Sequence, residues 1–154
     1  MPFSLEDLSD RAEIQDLLVR EAHALDKGQW DAWERVFTAD ALIDYSENDG
    51  ARGEPAEVRA WLAETFATFP ACQHLSSNTE ICLEGDHATA RTMQYIAVKL
   101  VHGGEERVVI SGIWFHDELL RTTEGWRIHK RYEELAWRHN FPPNYAPPIP
   151  LLRA

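Results

Sequence analysis

The chain has 154 residues, with 15 basic and 26 acidic side chains, a formal net charge of −11 at pH 7 and a hydrophobic share of 44%. That length and composition suit one folded domain with a real core and argue against disorder. The acidity excludes nucleic acid and anionic membrane surfaces as partners, because phosphates repel a surface with no basic excess.

The chain opens on Met1-Pro2-Phe3-Ser4, with no basic region and no long apolar run, so no signal peptide is expected. Ser4, with Asp7 three residues on, reads as a helix cap. Leu5, Leu8, Ala12, Leu18, Ala22 and Leu25 then form an amphipathic stripe that ends at Lys27-Gly28. A short helix follows with Trp30, Trp33 and Phe37 on one side. Ala41 to Tyr45 reads as a strand closed by Asn48-Asp49-Gly50. Pro55 suits a first helical position, and Val58, Trp61, Leu62, Phe66 and Phe69 continue a third helix that Pro70 stops.

Beyond Pro70 the pattern changes to four strand-like runs, at about 72–84, 87–101, 106–122 and 126–137. Glu84-Gly85-Asp86, His102-Gly103-Gly104-Glu105 and Thr123-Glu124-Gly125 separate them as hairpin turns. Helices followed by a long meander imply an α+β fold, with helices packed on a curved antiparallel sheet. Run 106–122 is apolar on both faces, so one face takes the helices and the other takes a partner subunit or lines a pocket; a homodimer or higher homo-oligomer through the sheet is expected. Residues 1–140 form the domain, and 141–154, rich in proline, form an extended tail that wraps a partner or caps the fold. The charge follows this division of structure: residues 1–70 hold 16 acidic and 6 basic side chains, residues 71–154 hold 10 and 9. The excess acid belongs to the solvated faces of the helices.

Cys72 and Cys82 are too few for a disulfide framework and form no zinc pattern, which points to a reducing, cytoplasmic compartment. No stretch approaches the roughly 20 apolar residues of a membrane span. The sequence has no phosphate-binding glycine loop, no dinucleotide fingerprint and no serine elbow. His129 and Glu133 stand four apart, but in a strand that spacing spans roughly 13 Å, too far to share a metal ion. No metal and no cofactor are expected.

Acid–base chemistry remains. It needs an imidazole and a carboxylate that orients it. Asp26, at the end of the first helix, and His74, early in the first long strand, have the right chemistry, although residue types alone leave their pairing open. Asn78 follows His74 at a spacing of four. Trp30, Tyr95 and Trp114 are candidates for an aromatic pocket wall, and His116 for its mouth. Arg131 and Tyr132 are minor candidates, and Asp44 reads as structural.

Several segments together resemble a SnoaL-like domain of the nuclear transport factor 2-like superfamily. They are Leu25-Asp26-Lys27-Gly28-Gln29-Trp30-Asp31, Phe37-Thr38-Ala39-Asp40-Ala41-Leu42-Ile43-Asp44-Tyr45, Gln73-His74-Leu75 with Asn78, Gly85-Asp86 with Ala88 to Thr92, and Leu120-Arg121-Thr122 with Gly125 to Ile128. The resemblance covers about residues 8–138. It implies a cone-shaped barrel of the cystatin-like kind, with three N-terminal helices on a curved sheet. In the scytalone dehydratase and hexachlorocyclohexane dehydrochlorinase branch, it places an Asp–His pair on Asp26 and His74 and a pocket tyrosine on Tyr45. The dehydratase's second histidine has no counterpart in Arg91 to Val98, where Tyr95 is the substitute donor. The implied activity is a cofactor-independent lyase or isomerase acting on a small hydrophobic cyclic molecule. The alternatives are a non-catalytic ligand-binding or assembly module of the same fold, or the small subunit of an aromatic-ring dioxygenase.

Overall fold

The computed structural model describes residues 2–149. In chain order these form α1 (Leu5–Asp26), α2 (Trp30–Glu34), β1 (Phe37–Asp44), a 3-10 turn (Ser46–Asn48), β2 (Arg52–Gly53), α3 (Pro55–Phe66), β3 (Ala71–Glu84), β4 (His87–His102), β5 (Glu105–Thr122) and β6 (Gly125–His139). Leu151 and Leu152 of the tail lie outside the described residues.

The helix ends have local causes. The Asp7 N–H donates to Ser4 Oγ at 3.0 Å while the Ser4 N–H donates to the Asp7 carboxylate at 2.9 Å, a reciprocal cap. Gly28, at φ +62°, takes the left-handed conformation that releases the chain from α1. α3 stops at Phe66, before the expected Phe69, because the chain tightens into a turn in which Thr68 Oγ1 donates to the Thr65 carbonyl at 2.6 Å.

The six strands make one sheet in the order β2-β1-β6-β5-β4-β3. β3 to β6 form the expected antiparallel meander. β1 departs from expectation in two ways. It begins at Phe37, which the sequence assigned to the short helix, and it runs parallel to β6. No turn in the sequence announces a pairing between segments so far apart. α1 packs against β3 and β6, and α3 against β1. Between helices and sheet, Ile14, Leu17, Trp33, Ile113, Trp126 and Ile128 are almost wholly buried.

Bulges decide which face each strand presents. On β3 the pairing passes from Ser77–Met93 to Glu80–Arg91, with Asn78 in the left-handed region at φ +50°. On β6 it passes from Leu119–Ile128 to Glu118–Lys130, leaving His129 as the extra residue. A bulge shifts the alternation by one, so Trp126 and Ile128 point inward before it and Arg131 and Glu133 after it.

Two ion clusters fasten helix to sheet. The Arg121 guanidinium grips Asp10 of α1 with bonds of 2.7 and 2.6 Å, and Trp126 Nε1 donates to the same carboxylate at 3.1 Å. Deeper in, Arg131 donates to Asp117 at 2.7 and 2.8 Å and lies 3.2 Å from Glu21, which also accepts from Trp33 Nε1. No helix among the described residues is long and apolar enough to cross a membrane, and both cysteines are free.

Candidate active site

Asp26 occupies the last turn of α1, where the left-handed Gly28 ends the helix facing the start of β3. β3 is an edge strand, and the His74 N–H points away from β4. Without a partner it would be an unsatisfied backbone donor. The Asp26 carboxylate accepts it, with both oxygens 3.1 Å from the nitrogen. The same carboxylate takes the His74 ring, Nδ1 to Oδ1 at 2.6 Å, and lies 3.8 Å from Cys72 Sγ. The His74 side chain is 2% exposed and that of Asp26 15%.

Burial pushes the Asp26 carboxyl up, but the ring and backbone hydrogen bonds from His74 outweigh it and hold the group below the usual carboxylate range. An ionised Asp26 makes Nδ1 the protonated nitrogen and leaves Nε2 with its lone pair. Phe66 stacks on the imidazole at 5.8 Å between centroids and 17° between planes, which fixes the ring's tilt. Burial, reinforced by the Asp26 charge, pushes the Cys72 thiol up to about 11, so Cys72 stays a thiol.

His74 lines a cavity of about 110 Å³ between sheet and helices. Apolar walls come from Leu25, Trp61, Phe66, Ile96, Val98 and Phe115, and the mouth is bordered by Phe141, Tyr145 and Pro147 of the tail. The Trp61 indole donates to the Ile149 carbonyl at 3.4 Å, which ties the tail across α3. Polar groups are few: Tyr45, Asn48, Thr65, Gln94, Ser111 and Glu133 also face the space. The Tyr45 hydroxyl, Thr65 Oγ1 and Gln94 Oε1 are buried with no protein partner among the described residues. Gln94 is held from behind, its Nε2 donating to Ser76 Oγ at 2.7 Å.

The structure therefore brings Asp26, His74 and Tyr45 to one site. It sets the other candidates outside the cavity. Asn78 is exposed, because the β3 bulge breaks the even alternation that a spacing of four assumes. Tyr95 is 40% exposed on the outer face, edge-on to Trp137, since the inward positions of β4 are Gln94, Ile96, Val98 and Leu100. Trp114 lies under the Arg91 guanidinium, and His116 bonds Glu134 at 2.7 Å, both on the same outer face. Trp30 stands behind Phe66, edge-on at 6.1 Å, and supports the wall without lining it. Asp44 accepts from the Ser46 N–H and hydroxyl, a local turn bond.

A model of the SnoaL-like domain matches residues 6–132. The chain belongs to the SnoaL-like family. This SnoaL-like domain is 36% identical over 130 residues to the uncharacterized protein Rv2910c of Mycobacterium tuberculosis, covering 84% of the chain and 88% of the relative. Among solved structures it superposes on a type 2 hexachlorocyclohexane dehydrochlorinase with a TM-score of 0.78 at 21% identity, over 94% of this chain and 97% of the other. A proposed scytalone dehydratase from Novosphingobium aromaticivorans gives 0.77 at 19%, over 96% of each chain. These likenesses establish the fold.

Glu133, Gln94, Ser111 and Asn48 also face the cavity, although nothing in the sequence marks them as lining it. The nearest signal is Arg131 and Glu133, alternate charged residues that follow the alternate apolar residues Trp126 and Ile128 on the same strand. Reading them as inward-facing required knowing of the bulge at His129.

Proposed function

We propose that this SnoaL-like domain is a cofactor-independent lyase or isomerase, of the dehydratase or dehydrochlorinase kind, acting on a small hydrophobic cyclic molecule. The observation that carries the reading is the 2.6 Å bond between His74 Nδ1 and Asp26 on the wall of an apolar cavity. His74 Nε2 takes a proton from a substrate carbon bearing an acidified hydrogen. Asp26 keeps the ring in the basic tautomer and stabilises the imidazolium that forms. The electron pair left on carbon forms a double bond as a leaving group departs, or is reprotonated elsewhere in an isomerisation. The apolar walls exclude water and hold the ring, and Tyr45 supplies a polar anchor. A space of about 110 Å³ holds a molecule of about one six-membered ring. Residues 141–149 act as the cap over it.

The test is His74→Ala against a panel of hydroxylated and halogenated cyclic compounds. Turnover falls by about 10²–10⁴-fold if His74 is the base. Turnover equal to the parent's removes His74 from that role.

A further inference from the structure

Cys72 and His74 stand two apart on β3, so their side chains leave the same face of the strand. Both turn to the Asp26 carboxylate at the end of α1. Three different donor atoms converge there. His74 Nδ1 is 2.6 Å from Asp26 Oδ1, Cys72 Sγ is 3.8 Å from it, and all three lie within 4.8 Å of one another.

The cluster has two sides. His74 lines the central cavity, whereas Asp26 and Cys72 line a separate surface pocket of about 280 Å³, with Gly28, Trp30 and Pro70 around them. Leu25 and Phe66 border both spaces. A small ion therefore reaches the carboxylate and the thiol without passing the tail or the central cavity. Among the described residues, no arginine or lysine is paired with Asp26, and Lys27 beside it is exposed.

We propose that Asp26, Cys72 and His74 form a site for a borderline-soft divalent cation of the zinc class, entered from the surface pocket. One sulfur, one nitrogen and one oxygen suit such an ion and disfavour Mg²⁺ and Ca²⁺, which take oxygen ligands. A tetrahedral site holds its ligand atoms about 3.3–3.5 Å apart, so the Nδ1–Oδ1 contact opens by about 0.7 Å and the Sγ–Oδ1 contact closes slightly. A fourth position is left for water from the pocket. The charges balance, since one carboxylate and one thiolate neutralise a doubly charged ion. A coordinating thiol is deprotonated outright, and its proton leaves to solvent. The cation takes the Nδ1 lone pair, and the ring proton moves to Nε2. No electron is transferred. Where His74 is the base proposed above, Nε2 then lacks the lone pair that accepts a proton, and the cation silences it. The metal site itself does not depend on that role.

The test titrates the full-length chain, reduced and freed of metal by a chelator, with Co²⁺ as an optical stand-in for Zn²⁺. One equivalent binds, with a thiolate-to-metal charge-transfer band in the near ultraviolet and the strong visible bands of tetrahedral cobalt. Zn²⁺ abolishes these bands, and excess Mg²⁺ does not. Cys72→Ser removes the charge-transfer band and weakens binding by about 100-fold or more, since loss of an outer-shell partner alone costs about 10–100-fold. Cys82→Ser, at the exposed thiol, retains both. A charge-transfer band that survives Cys72→Ser overturns the proposal, as does a parent chain that shows none at millimolar Co²⁺.

Ring-nitrogen NMR of the histidines needs no variant. The His74 proton sits on Nδ1 in the metal-free chain and on Nε2 with saturating Zn²⁺. A proton that stays on Nδ1 while Zn²⁺ is bound overturns the site. Turnover that Zn²⁺ leaves unchanged once the proton has moved overturns the base assignment instead.

Discussion

At Asp26 one carboxylate receives an imidazole N–H, a backbone N–H and a thiol, and each donor favours the ionised form. Its lowered pKa has a definite sign: the Asp26–His74 bond contributes stability above the ordinary carboxylate range and loses it as pH falls through the native value. Asp26→Asn preserves the shape but replaces the charge that selects the tautomer. Turnover should fall by roughly 10²–10⁴-fold with little change in melting temperature. A loss of turnover matched by a loss of folded protein would mean that the carboxylate acts on structure alone. The pair was open to a sequence reading only through family resemblance, since 48 positions separate the two residues and neither carries a local signature of the other. Tyr45 followed from the same resemblance. Glu133 did not, because its inward direction depends on one extra residue in β6.

Among the elements, the buried Glu21–Arg131–Asp117 cluster joins α1, β5 and β6. The Arg131 guanidinium also lies 3.9 Å from the Phe115 ring, beside the cavity. Arg131→Met leaves two carboxylates buried without their cation and should cost about 3–5 kcal/mol in urea unfolding. Replacing Glu21 and Asp117 by leucine in the same chain should restore much of that loss. A single variant as stable as the parent would show that the carboxylates relax to water. The elements were largely legible from local chemistry: α1 from its cap and stripe, α3 from Pro55, and four strands from apolar runs divided by glycine turns. What was not legible is non-local. The parallel seating of β1 on β6 depends on tertiary packing, and the bulges at Asn78 and His129 reverse the faces that strict alternation assigns. The bulge at Asn78 and the outward phase of Tyr95, Trp114 and His116 account for the strand candidates that fall outside the cavity, while Trp30 of α2 is screened from it by Phe66.

For the whole molecule, the net charge of −11 counts Glu133 as ionised, although burial pushes its carboxyl up to about 8. Glu133 rises from 4.5 to about 8 on folding, so the native state holds one more proton than the unfolded chain between those values. Stability attributable to this group is therefore full at or below pH 4.5 and declines as pH rises through 8. Melting curves from pH 5 to 9 should show the parent losing stability relative to Glu133→Gln as pH increases. Parallel pH profiles would place the Glu133 proton in both states or in neither. The outer sheet face, with Tyr95, Val108 and Trp137 exposed, is the surface on which we expect a second copy to sit. Light scattering of the full chain should give at least a dimer, and a monomer would reject that expectation.

The seat of His74 on an edge strand has a further consequence. An unpaired strand edge is a template on which another chain can add a strand. Here the Asp26 carboxylate occupies the one N–H that such a strand would need at His74, and it brings a negative charge to that point. The residue proposed to orient the base thus also discourages edge-to-edge aggregation. Removing its side chain, as in Asp26→Ala, should therefore raise turbidity on storage as well as abolish turnover.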